Sequence, residues 1–137
     1  MRYGIFSDIH SNLEAFDAAL EVYKKEGIER YLCLGDIVSY GPDPSQCIQI
    51  VRELKAKVIA GNHEWGVCAK SKLEDFTALA QEALVWTKKA LRDDERNFLD
   101  ALPLVYEEEN FILVHGSLDR PADFYYLDNA EDADTSL

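Results

Sequence analysis

Four short apolar runs, residues 2–6, 31–34, 57–60 and 111–114, each lead into side chains of the kind that hold metal ions. The four endings are Asp8-Ile9-His10, Gly35-Asp36, Gly61-Asn62-His63-Glu64 and His115-Gly116, and they use all three histidines of the chain. Apolar runs this short, with little polar interruption, suit strands buried between other layers. Segments of helical periodicity join the first three. Ser11 and Glu14 have capping-box spacing. Leu13, Phe16, Ala19, Leu20 and Tyr23 then share one face, and Gly27 stops the helix. Asp43, Pro44 and Gln46 suit the N-cap, N1 and N3 of a second helix, with Cys47, Ile48, Val51 and Leu54 as its buried stripe. The order β-α-β-α-β predicts an α/β fold with parallel strands and right-handed crossovers. Ligands of such sheets bind beyond the carboxyl ends of the strands, where every candidate ligand falls.

Beyond the third strand the pattern is looser. Residues 65–72 read as an irregular connection, and residues 77–91 as a helix with Ala80, Leu84, Thr87 and Leu91 on one side. Asp93 caps a short helix carrying Phe98, Leu99 and Leu102, which Pro103 stops. Residues 104–106 and 111–114 suit a hairpin around Glu107-Glu108-Glu109-Asn110, a solvated turn with Asn110 fitted to a positive φ. Trp65 and Trp86 read as core. From Asp119 the chain becomes polar and acidic, and the start of a helix is expected near Leu137.

Charge narrows the function classes. With 26 acidic against 14 basic residues, the net charge is −12, which argues against a broad face for nucleic acid. An anionic substrate would have to be drawn in locally, as bound cations would do. Cys33, Cys47 and Cys68 are odd in number with no Cys-x-x-Cys spacing, against a disulfide framework or a thiolate zinc site. No stretch approaches membrane-spanning length or a signal-type segment, so a cytoplasmic protein without a membrane partner is expected.

The chemistry of the four endings is consistent. Asp8 and His10 are alternate residues that point the same way if the chain stays extended there. Asp36 follows a glycine that allows a tight turn, and a carboxylate can bridge two cations roughly 3.5–4 Å apart. Asn62 offers a carbonyl oxygen and His115 an imidazole nitrogen. Mixed nitrogen and oxygen ligands suit manganese, iron, cobalt, nickel or zinc rather than calcium. A water shared by two such ions loses its proton near neutral pH and attacks phosphorus in line. His63, beside a ligand, is placed to protonate the leaving oxygen. Taken singly, each residue is more often a cap or a satisfied polar group than a ligand; the order of all four carries the argument.

The series Asp-x-His, Gly-Asp, Gly-Asn-His-Asp/Glu and His-Gly resembles the calcineurin-like metallophosphoesterases. The stretches Gly35-Asp36-Ile37-Val38-Ser39-Tyr40-Gly41-Pro42 and Leu113-Val114-His115-Gly116-Ser117 are similar to the bacterial and archaeal branch described as phosphodiesterases or diadenosine tetraphosphatase-like. The resemblance implies a four-layer α-β-β-α sandwich. It implies two divalent transition-metal ions, the first on Asp8, His10 and Asp36 and the second on Asp36, Asn62 and His115. His63 would be the catalytic histidine, and a small phosphoester or nucleotide the substrate. Family members carry a later Gly-His-x-His motif, and no histidine follows His115 here. Residues 1–137 are therefore expected to be the amino-terminal part of one such domain, an incomplete sandwich. Weaker metal binding, impaired activity, and pairing with a second copy or the missing carboxy-terminal segment follow from that expectation. Two alternatives remain open: a non-catalytic binding or scaffold module that keeps the fold, and a nuclease subunit, which the net charge disfavours. Arg120 is a candidate phosphate contact or a surface ion pair, and Tyr40 lines the cleft or packs.

Overall fold

The structure, a computed structural model, describes residues 1–136. Strands β1 (Tyr3–Phe6), β2 (Arg30–Cys33) and β3 (Lys57–Val58) form a parallel sheet in that order, with Ile5 opposite Leu32 and Cys33 opposite Val58. Helix α1 (Leu13–Lys25) connects the first pair and α2 (Pro44–Glu53) the second. Neighbouring side chains of a strand face opposite ways, and each face of this sheet meets a different layer. Phe6, Cys33 and Val58 pack with Phe16 of α1 and with Cys47, Ile48 and Val51 of α2. On the other face Leu32 and Ile59 pack with Leu113, bordered by Tyr3, Tyr106 and Phe111. That cover is an antiparallel hairpin of β4 (Val105–Glu108) and β5 (Phe111–Val114), with Tyr106 opposite Leu113. Helices, parallel sheet and hairpin stack in layers; the α/β class is the one the element order predicted, and the layering is in keeping with the sandwich that the resemblance implies.

Helices α3 (Asn62–Val67), α4 (Ala78–Ala90) and α5 (Asp93–Asp100) add Val67, Leu84, Leu91 and Leu99 to the helix-side core. Helix α6 (Ala130–Ser136) is tied back through Ser136, whose hydroxyl accepts the Leu118 N–H at 2.9 Å. Leu137, near which the sequence placed the start of a helix, lies outside the described residues.

Several local expectations are corrected. Asn12, not Ser11, caps α1: its Oδ1 accepts the Ala15 N–H at 3.0 Å. Ser11 is wholly buried, and its N–H is spent on Ile37 O at 2.8 Å, so a tertiary pairing displaced the cap by one residue. Asn12→Ala should therefore cost about 1 kcal/mol in urea denaturation. Ser11→Ala should cost less, because its hydroxyl has no partner among the described residues. Arg92 rather than Asp93 sits before α5, its N–H taken by Glu95 at 2.8 Å. The supposedly irregular stretch begins inside α3, which runs from Asn62 through Trp65. Trp65 is half-buried with its ring edge-on to Phe124, and Trp86 is 48% exposed, since it lies off the buried Ala80–Leu84–Thr87 stripe of α4. Glu107 and Glu108 belong to β4, leaving Glu109 and Asn110 as the turn, and Asn110 does not take a positive φ.

Candidate metal centre

Where β1 and β2 end, their chains stay side by side. Asp8 N–H donates to Gly35 O (3.0 Å), His10 N–H to Asp36 O (2.9 Å) and Ser11 N–H to Ile37 O (2.8 Å). Along these loops Asp8, His10, Ser11, Asp36, Ser39 and Tyr40 all take left-handed φ values between 48° and 80°. Each costs roughly 1–2 kcal/mol for a residue with a Cβ, and strain of this kind collects at functional sites. The expectation that Asp8 and His10 converge because the chain is extended is thus corrected. The strand stops at Phe6, and two left-handed residues bring Asp8 Oδ1 to 3.7 Å from His10 Nε2.

The segment after β3 approaches this pair of loops at two glycines. A Cβ on Gly35 would lie 2.4 Å from Gly61 N, and one on Gly61 would lie 2.1 Å from Asp36 Oδ1. Both must be glycine for the carboxylate of Asp36 to sit where it does. Asp36 Oδ1 accepts the His63 N–H at 3.0 Å. Its Oδ2 lies 3.7 Å from His10 Nε2 and 3.5 Å from Nε2 of His115, the residue after β5. Nδ1 of His10 lies 3.1 Å from Val38 O, and Nδ1 of His115 lies 2.6 Å from Leu34 O. Those carbonyls require Nδ1 to be the donor, so both Nε2 atoms turn to Asp36. Backbone partners of this kind orient metal-binding imidazoles.

Asp8, His10, Asp36, Asn62, His63 and His115 therefore come together from four segments. Their donor atoms form two groups that share Asp36, one with His10 and His63 and one with Asp8 and His115, each spanning no more than 4.8 Å. Asn62 Oδ1 stands 3.1 Å from His115 Nε2. The donor set fits divalent transition-metal cations, since it mixes imidazole nitrogen with carboxylate and amide oxygen. Its electrostatics agree. Burial alone would raise the carboxyl of Asp36, but the hydrogen bond and charge of His115 hold it below its ordinary value. Burial also works against charge on His115, yet Asp36 and Leu34 O raise it to about 9. The pair keeps a proton where a cation could take its place. Burial lowers the pKa of His63, whose ring meets those of His10 and Phe76 edge-on and that of Tyr40 at a tilt, with centroids 4.8–5.5 Å apart.

Arg120 stays apart. Its guanidinium pairs with Asp119 and Asp123 at 3.6 and 3.4 Å and lies over Tyr125. Sequence reasoning assigned no part to Glu64, which the structure buries completely beneath Asp36. The signal was present: a charged residue three past Gly61 at a helix start, where N3 carboxylates cap.

The comparisons extend these observations. The model of the family described as Calcineurin-like phosphoesterase matches residues 1–137. Uncharacterized protein MJ0912 of Methanocaldococcus jannaschii is 41% identical over 127 residues, covering 90% of this chain and 52% of that protein. The crystal structure of a metallophosphoesterase from Sphaerobacter thermophilus superposes with a TM-score of 0.85 at 34% identity, covering 99% of this chain and 55% of the other. Hypothetical protein PH1004 from Pyrococcus horikoshii OT3 gives 0.75 at 26% identity, covering 85% and 55%. The chain spans about half the length of these relatives. A match along the whole chain, on a sheet whose strand ends bear this donor set, places it among the calcineurin-like phosphoesterases, and to that family the chain belongs.

Proposed function

We propose that the chain carries the metal-holding part of a phosphoesterase acting on phosphodiester or nucleotide-type substrates. The carrying observation is Asp36 Oδ2, which faces the Nε2 atoms of His10 and His115 at once. In this reading Asp8, His10 and Asp36 hold one cation, and Asp36, Asn62 and His115 the other. Two divalent ions there (manganese, iron, zinc, cobalt or nickel) would supply Lewis acidity towards phosphoryl oxygens and a nucleophile at neutral pH.

The chain's own residues do the rest. Burial keeps His63 neutral, so it acts through an imidazole N–H directed at the leaving oxygen. His63 and Asn62 open into a cleft of about 560 Å³ that is also lined by Tyr40, Phe76, Phe124, Tyr125 and Tyr126. Aromatic faces beside a phosphate-reactive centre suit a nucleobase, which stacks on any of them. That lining favours a small nucleotide-type substrate over a phosphoprotein. Arg120, engaged by two carboxylates, fits the ion-pair alternative better than a phosphate contact.

Residues 1–137 form, in this proposal, the amino-terminal part of a single sandwich domain. Ile5, Val105 and Ile112 are 56%, 38% and 46% exposed around the sheet and hairpin, apolar surface that a further segment or a second copy would cover. No helix among the described residues is long and apolar enough to cross a membrane, and a cytoplasmic setting is proposed with that. The test is hydrolysis of bis-p-nitrophenyl phosphate. Turnover should vanish on dialysis against a chelator and return with manganese. Turnover that survives metal removal would overturn the reading, and none under any metal would leave a non-catalytic scaffold.

A further inference from the structure

We infer that Glu64 is the positioning residue of this centre: its buried carboxylate clamps the backbone of Asp36 against the start of α3, leaving one Asp36 oxygen free for two cations. The inference rests on the metal-centre reading above.

Glu64 is wholly buried, and its hydrogen-bond partners among the described residues are all main-chain N–H groups. Oε2 accepts from Asp36 at 2.7 Å and Gly61 at 2.8 Å, and Oε1 from Ile37 at 2.8 Å and Val38 at 3.3 Å. One side chain thus ties the loop after β2 to the loop after β3. The tie is returned, because Asp36 Oδ1 accepts the N–H of His63, the neighbour of Glu64. That bond occupies Oδ1 and turns Oδ2 towards His10 and His115. The peptide of Val38 extends the clamp: its N–H binds Glu64, and its carbonyl orients His10 Nδ1. Asp36 itself sits at φ 52°, a conformation that persists only where surrounding bonds impose it. Without Glu64, three consecutive N–H groups in a buried loop would lose their acceptor.

Acceptor capacity on both oxygens is essential to this arrangement as well as shape. Each carboxylate oxygen faces two N–H donors, so an amide nitrogen in either place would meet donors only. Glu64→Gln is therefore nearly isosteric and still unable to hold the loop.

The experiment is manganese(II) binding by titration calorimetry and by electron paramagnetic resonance, on the wild-type chain and on Glu64→Gln. Circular dichroism verifies folding at the working temperature. The expected result is a folded variant with about 10–100-fold weaker binding, as for loss of other groups that support metal ligands, and without the exchange-coupled signal of a manganese pair. Leu99→Ala, a core truncation remote in role, should lower the melting temperature and keep wild-type manganese binding. If Glu64→Gln does not fold, Glu64→Asp decides. It keeps the charge but is one methylene too short to reach both loops, so it should fold and bind manganese about tenfold more weakly. Wild-type affinity and coupling in either folded variant would overturn the inference, as would equal loss in Leu99→Ala. A wild-type chain that takes up no manganese would instead overturn the metal-centre reading, and this inference with it.

Discussion

Asp36→Asn should reduce metal-dependent turnover to the level of the metal-free chain while the fold remains. The amide keeps an oxygen for the His63 N–H, now 3.0 Å from Asp36 Oδ1. Its nitrogen then takes the place of Oδ2, 3.5 Å from His115 Nε2 and 3.7 Å from His10 Nε2. Both atoms can accept from an amide, because Nδ1 of each ring donates to a main-chain carbonyl. His115 Nε2 then no longer donates to Asn62 Oδ1, 3.1 Å away, so unfolding by urea should show a loss of about 1 kcal/mol with the fold retained. What disappears is the shared negative oxygen. The loss of metal affinity should exceed the roughly 10–100-fold that removing a supporting residue costs, and calorimetry with manganese measures it. The variant also removes the charge that raises His115 to about 9, so the His115 pKa, followed by NMR, should fall. Retained metal affinity would rule out Asp36 as the bridge.

His63→Asn should lower kcat by about 10²–10³, the range for losing one positioned donor to developing charge, with manganese affinity unchanged. The loss should be larger for substrates with alkyl leaving groups than for p-nitrophenyl esters, whose leaving oxygen needs little help. His63 is 5% exposed, its Nδ1 has no partner among the described residues, and it borders the aromatic cleft. Its grouping with His10 and Asp36 gives a definite alternative, that it is itself a ligand. The same variant separates the two: a ligand loses metal affinity, whereas a donor to the leaving oxygen loses kcat alone.

Much of this was legible because it is local. Strand and helix order follow from periodicity, and α2 begins at Pro44 as its N1 proline requires. The candidate ligand residues were legible for another reason: few side chains bind cations, and they stood at the ends of apolar runs. Where local rules failed, a distant partner had intervened. Ser11 had the spacing of a cap, but Ile37 O claimed its N–H and Asn12 became the cap. Trp86 looked like core by type, yet the stripe of Leu84 and Thr87 turned it outward.

The sequence by itself determined the donor types, their order, and the α/β scaffold whose strand ends present them. Tertiary structure decided which Asp36 oxygen is free, which ring nitrogens face it, and why Glu64 is there. Those depend on main-chain N–H and carbonyl groups, which every residue carries and which a sequence therefore cannot distinguish. Leu34 and His115, 81 residues apart, meet through a carbonyl, and only the folded backbone brings it there.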